Sequence, residues 1–173
     1  MSIYEEFKEN GFKIKKRERT GKRGGGLLTM TNSSTINKLS SNRLYPYTSF
    51  DNITCKVTVG KLSFTIVNLY RAPACSKSDF LIDFENFLSK VLDDSGIVVI
   101  LGDFNVNWFC KDSIMDEFIK ILNTNGLTQM VNMPTRKSSL LDFVIIQECY
   151  KDLVSFVNVT EKDFESDHIP IFF

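Results

Sequence analysis

Three aspartates, an asparagine, a tyrosine and the chain's one histidine stand at the ends of apolar runs. Ile97–Leu101 runs into Gly102-Asp103-Phe104-Asn105, and Asn68-Leu-Tyr70-Arg71-Ala-Pro73 closes a second run. Ser139-Leu-Leu-Asp142 leads into a third, and Ser166-Asp167-His168 precedes a fourth. A carboxylate at the C-terminal end of a buried strand is well placed for a metal ion or a reacting phosphate. Oxygen donors with so little nitrogen favour Mg²⁺ or Mn²⁺ over zinc. Cys55, Cys75, Cys110 and Cys149 show no Cys-x-x-Cys spacing, so zinc is not expected and reduced thiols are the default. Phosphodiester cleavage needs this set: a base to activate water, a metal to stabilise charged oxygens, and donors to hold the phosphate. Singly, each residue has a plainer reading as a turn or cap aspartate, a structural histidine or a surface tyrosine. Their joint order along the chain favours the chemical one.

The elements that must position these residues follow from periodicity. Residues 12–17 and 26–31 read as strands around a Gly-rich turn, 21–26, whose spacing fits neither a P-loop nor a dinucleotide fingerprint. Residues 1–10 read as a short helical segment, and 32–51, rich in Ser, Asn and Tyr, as an irregular surface loop. Ile53–Val59 and Leu62–Tyr70 form a hairpin at Gly60-Lys61. A helix follows, with Ser76 and Asp79 as capping box and Phe80, Phe84, Phe87, Leu88 and Val91 on its buried face. Gly96 ends it, and Ile97–Leu101 is a strand of the fully buried type. Ser113–Asn125 is a second amphipathic helix with Ser113 as cap. Leu127–Val131, Leu141–Ile146, Leu153–Val159 and Ile169–Phe173 are the remaining strands. Hairpin-linked strands outnumber helices, which predicts mixed sheets with helices packed outside. No repeat or linker divides residues 1–173, so one domain is expected.

With 173 residues, 43% hydrophobic and 24% charged, the chain is an ordinary globular one. Lys+Arg and Asp+Glu are both 21, so net charge carries no nucleic-acid signal. The distribution is uneven: Lys13, Lys15, Lys16, Arg17, Arg19, Lys22 and Arg23 crowd segment 13–23. Such a segment can bind DNA phosphate, act as an import signal, or be a solvated strand edge. The opening Met1-Ser-Ile-Tyr-Glu-Glu is no signal peptide, and no apolar run is long enough to span a membrane. An intracellular location, nuclear or cytoplasmic, is expected.

Gly24-Gly-Gly26-Leu-Leu, Tyr70-Arg71-Ala-Pro73, Gly102-Asp103-Phe104-Asn105, Pro134-Thr135-Arg136 with Ser139-Leu-Leu-Asp142-Phe-Val, and Ser166-Asp167-His168-Ile-Pro170 resemble the endonuclease/exonuclease/phosphatase superfamily. They are most similar to the apurinic-type endonuclease domain of non-LTR, LINE-type retrotransposons, from about Gly11 onward. The resemblance implies an α/β (α+β) fold, a four-layered α/β sandwich with two mixed sheets and outer helices. It implies a Mg²⁺- or Mn²⁺-dependent phosphodiester hydrolase acting on DNA, nicking a target for reverse transcription. Asp103 would sit beside the attacking water or the leaving oxygen, and Asn105 would hold the scissile phosphate. His168 would be general acid/base or phosphate clamp, oriented by Asp142. Tyr70 and Ser139 would contact phosphate, Arg71 would be a phosphate or backbone contact, and Asp167 would help bind metal.

The family pattern opens with two further strands, ending in an asparagine and in a metal-binding glutamate, and this sequence begins after both. Glu5, Glu6 and Glu9 lie in the wrong context to replace that glutamate. The sequence is therefore read as N-terminally incomplete, lacking the first strands. The alternative function is a catalytically inactive remnant or a domesticated nucleic-acid- or protein-binding module. For the chain alone the expectation is poor solubility, weak, salt-sensitive DNA binding and little nicking.

Overall fold

The computed structural model describes residues 7, 9–18, 26–32, 38–43, 46–93, 96–154, 157–159 and 166–172. Of the Gly-rich turn only Gly26 lies among them, and Arg19, Lys22, Arg23 and most of segment 1–10 lie outside.

β1 (Phe12–Glu18) and β2 (Gly26–Asn32) pair antiparallel in unbroken register. The sheet that carries the site begins with β3 (Lys38–Arg43), then β4 (Asp51–Val59) and β5 (Leu62–Tyr70). β4 and β5 form a hairpin around Gly60, whose φ of 59° suits the tight turn. α1 (Lys77–Val91) carries the chain across to β6 (Ile97–Asp103), which pairs parallel to β5. α2 (Ser113–Thr124), β7 (Leu127–Gln129) and β8 (Asp142–Gln147) complete a six-stranded mixed sheet of order β3-β4-β5-β6-β8-β7. β9 (Asn158–Val159) and β10 (Ile171–Phe172) form a second antiparallel pair.

Side chains alternate across the central sheet, and this decides what faces what. Phe143 stacks on Phe104 at 4.7 Å and meets Phe118 of α2 at 5.8 Å, so this strand face looks toward the helices. Phe80, Phe84, Phe87, Leu88 and Val91 of α1 are wholly buried there with Val67, Leu69 and Ile100. On the opposite face Leu27 of β2 packs on Ile53 and Cys55 of β4, while Val159 and Ile171 pack against the main core. The chain is thus an α/β sandwich, with helices on one face of a mixed sheet and a second β layer, in two antiparallel pieces, on the other.

Several expectations need correction. Segment 32–51 is not wholly irregular: β3 lies within it, because the free edge of β4 offers a ladder that outweighs the weak strand preference of Ser and Asn. Its last residues are core, since Phe50 is buried and stacks on Tyr47 at 5.0 Å. Asp112, not Ser113, caps α2, its Oδ1 accepting from Met115 N at 2.9 Å. Of the strand expected at 153–159, Leu153 closes a 3₁₀ turn, Glu148–Leu153, Asn158–Val159 are strand, and residues 155–156 lie outside the described residues; of the last strand Ile171–Phe172 are strand and residue 173 lies outside the described residues. In the basic segment, Lys13 and Lys15 are exposed, whereas Arg17 pairs with Asp51 at 3.1 Å and donates to Asn52 O.

Candidate active site

Tyr70, Asp103 and Asp142 are the edge residues of three adjacent strands. Tyr70 pairs with Asp103 across β5 and β6, and Asp103 pairs with Asp142 across β6 and β8. The three therefore share the face turned away from the helices. Gly102 lets β6 reach this point: its φ is 139°, and a Cβ there would lie 1.9 Å from Leu69 O. Behind Asp103, the buried Phe104 ring anchors the next turn in the aromatic core.

Asn105 adopts a left-handed conformation, φ 49°, which asparagine tolerates better than most residues. That conformation folds it back on Asp103. Its backbone N–H donates to Asp103 Oδ1 at 2.9 Å, and its Nδ2 donates to Asp103 Oδ2 at 2.8 Å and Arg71 O at 2.9 Å. Both amide hydrogens of Asn105 are thereby engaged. The Asp103 carboxyl is nonetheless pushed above the ordinary aspartate range, by burial first and the Asp142 charge second, against the lowering effect of Asn105 and His168.

His168 Nδ1 lies 2.8 Å from Asp142 Oδ2. This contact orients the ring and leaves Nε2 for a substrate. One donor atom each from Asp103, Asp142 and His168 fall within 4.8 Å of one another. A cavity of about 390 Å³ opens beside Asp142 and His168, floored by Leu101 and Val144 and walled by Ile169 and Ile171.

The remaining expected residues are placed differently. Arg71 is 1% exposed, and its guanidinium points beneath the loop. It donates to Asn105 O at 3.3 Å and Cys75 O at 2.7 Å, and stands 5.8 Å from the Phe80 ring centroid. Burial pulls its pKa down. Asp167 is exposed and held by Arg136 Nε at 2.8 Å, a bond that keeps its carboxyl below the usual range. It stands outside the Asp103–Asp142–His168 group. Ser139 closes a tight turn through backbone bonds with Arg136, and its side chain is half-buried.

Thr135 lies in the Pro134-Thr135-Arg136 motif and ties two segments of the site together. Its buried Oγ1 accepts from Leu141 N and Asp142 N, both at 3.1 Å, and its carbonyl accepts from Ile169 N at 2.7 Å. One residue thus ties the start of β8 to the segment carrying His168. Asn107 acts similarly, its Oδ1 accepting from Leu140 N at 3.1 Å. Only the Pro134-Thr135-Arg136 triplet hinted at this in the sequence.

Two carboxylates and an imidazole suit a hard divalent cation, because oxygen donors dominate and both acids have been forced into register despite like charge.

Known structures share this architecture. The endonuclease domain of TRAS1, a telomere-specific non-LTR retrotransposon, superposes with TM-score 0.72 at 19% identity, covering 93% of this chain and 76% of that one. The 3' phosphatase NExo from Neisseria, solved with product DNA hairpin, gives 0.67 at 15%, covering 98% and 81%. D. rerio TDP2 complexed with single strand DNA product gives 0.67 at 11%, covering 97% and 78%. No curated protein sequence matches the chain. The sequence model described as endonuclease-reverse transcriptase matches residues 64–172, which hold every site residue named above. The chain belongs to that family, within the endonuclease/exonuclease/phosphatase superfamily.

Proposed function

We propose that this chain carries the site of a divalent-metal-dependent phosphodiester hydrolase acting on DNA, as a retroelement endonuclease domain. The observation that carries this reading is the convergence of Asp103, Asp142 and His168 at one sheet edge, within 4.8 Å of one another. Asp103 and Asp142 would hold Mg²⁺ or Mn²⁺, which when bound neutralises charge developing on the phosphate oxygens. His168, fixed through Nδ1 by Asp142, presents Nε2 for proton transfer to or from the reacting oxygen. Asn105 donates to the scissile phosphate once its amide turns from Asp103. Tyr70 lies on the same face, beside Asp103, where its hydroxyl can reach a phosphate oxygen. Ser139 and Asp167 flank this group, Asp167 as an outer carboxylate for the metal. A nucleic-acid substrate agrees with NExo and TDP2, whose structures hold DNA products.

A second reading, binding without cleavage, is favoured by one detail. Asn105 and Asp103 satisfy each other, so neither is poised for a phosphate as it stands. A supercoiled-plasmid assay in Mg²⁺ and Mn²⁺ separates the two. Nicking that disappears in Asp103→Ala and His168→Ala supports hydrolysis. DNA retained without nicking supports the second reading.

A further inference from the structure

A cleft of about 500 Å³ lies apart from the cavity at Asp142 and His168, with no lining residue in common. Trp108, Phe109, Met115, Ile119 and Met130 form its apolar walls. β6 and β7 each run antiparallel to β8, so they point the same way. The cleft, at the C-terminal end of β7, therefore opens at the sheet end that carries Asp103 and Asp142.

Its distance from the site is bounded by the chain. Trp108 follows Asn105 by three residues, which span at most about 11 Å. The loop is pinned at that range, since Trp108 N donates to Leu140 O at 3.0 Å, two residues from Asp142. A nucleic-acid strand advances about 3.4 Å per nucleotide along a helix axis. The cleft is thus within a few nucleotides of any phosphate seated at Asp103 and His168.

The lining suits a base rather than a phosphate. Trp108 is half-buried, held edge-on by Phe143 at 5.5 Å. Phe109 leaves 45% of its surface in water. Asp116 stands in the cleft as an acceptor and repels phosphate, whereas it can receive a base amino group. The Asn132 amide and Lys111 ammonium have no hydrogen-bond partner among the described residues. Two aromatic rings, an acceptor and two donors without partners among the described residues make a stacking and edge-reading platform.

We infer that this cleft receives an unpaired nucleobase of the strand held at Asp103 and His168, with Phe109 as the stacking surface. The inference rests on the DNA-directed reading of that site. It makes Phe109, Asn132 and Asp116 specificity-determining residues.

Trp108 is the only tryptophan, so its emission reports on the cleft. The chain is titrated with an eight-nucleotide deoxycytidine oligomer, whose bases carry the amino group that Asp116 can accept, and with an abasic oligomer of equal phosphate count. The base-bearing oligomer is expected to change Trp108 emission and bind about tenfold tighter than the abasic one. Phe109→Ala should abolish that difference and leave the salt dependence unchanged, since that slope counts phosphates; Phe109→Tyr should retain it. Equal emission changes and affinities for the two oligomers overturn the inference. Plasmid nicking by the parent chain separates the inference from hydrolysis. In that chain a base-dependent signal without nicking upholds the cleft and counts against the hydrolase, while nicking with no base preference does the reverse.

Discussion

Asp103 and Asp142 oppose each other directly across β6 and β8, two acids on one face of one sheet. Like charges so placed cost stability. Each has a local support: Asp103 accepts two hydrogen bonds from Asn105, and Asp142 meets His168 at 2.8 Å. The arrangement is costly for the fold and useful for gathering positive charge at the strand ends.

Acid should oppose metal binding at this site. Burial, then the Asp142 charge, raises the Asp103 carboxyl, so the folded state favours its protonated form. The sign follows: the metal-free fold loses stability as pH rises through the carboxylate range toward the raised value. A cation needs the ionised form and competes with the proton. Thermal melts with and without Mn²⁺ should show stabilisation that grows as pH rises above the ordinary carboxylate range. Asp142→Asn should move the acid limb of any remaining effect to lower pH. A cation effect equal at all pH values would argue against Asp103 as ligand.

The Asp142–His168 pair should act as a unit. If His168 transfers the proton, His168→Ala should slow plasmid nicking by about 10²–10⁴. Asp142→Asn should do comparable damage by releasing the ring. The double variant should be little worse than the poorer single one, because residues acting together are not additive. Additive losses would mean that the 2.8 Å contact does not organise the chemistry.

Thr135 offers a test of positioning. Valine matches its shape and removes the acceptor for Leu141 N and Asp142 N. The buried Leu141 N–H without a partner should cost about 1–3 kcal/mol, and the part-buried Asp142 N–H less. Thr135→Val should therefore melt several degrees lower and weaken Mn²⁺ stabilisation, while Thr135→Ser restores both. A Thr135→Val chain that melts like the parent would show that water replaces the hydroxyl.

Much of this was legible in the sequence, for identifiable reasons. Phe80, Phe84, Phe87 and Val91 recur at helical spacing, and Ile97–Leu101 is apolar throughout, so α1 and β6 announced themselves. Asp103, Asn105, Asp142 and His168 stood where apolar runs meet polar residues, and those ends meet in space. β3 was hidden because its pairing depends on the edge of β4, a long-range fact with little local signature. The resemblance implied a phosphate or backbone contact for Arg71, and nothing in the sequence around it separates the two. Its burial under Asn105 is a tertiary outcome that no window of sequence contains. Thr135 escaped for the same reason, since its hydroxyl serves residues six and seven positions on.

Arg71 supplies the last prediction, because bracing and phosphate binding give different results. Its guanidinium holds the carbonyls of Phe104, Asn105 and Cys75, and its backbone N–H donates to Asp103 O at 2.9 Å. Methionine would keep the packing over Phe80 and leave those carbonyls without their donors. Losing a buried charged donor set should cost about 3 kcal/mol, near 10 °C in a domain of this size. Lysine carries the charge without the planar fork, and should recover only part of that loss. A brace acts on the fold, so Arg71→Met should lower the melting temperature and release Asn105 from its left-handed turn. It should leave unchanged the slope of DNA affinity against salt, which measures phosphates contacted. A slope that falls by about one unit, with melting unaffected, would instead make Arg71 a direct phosphate ligand that turns outward when DNA binds.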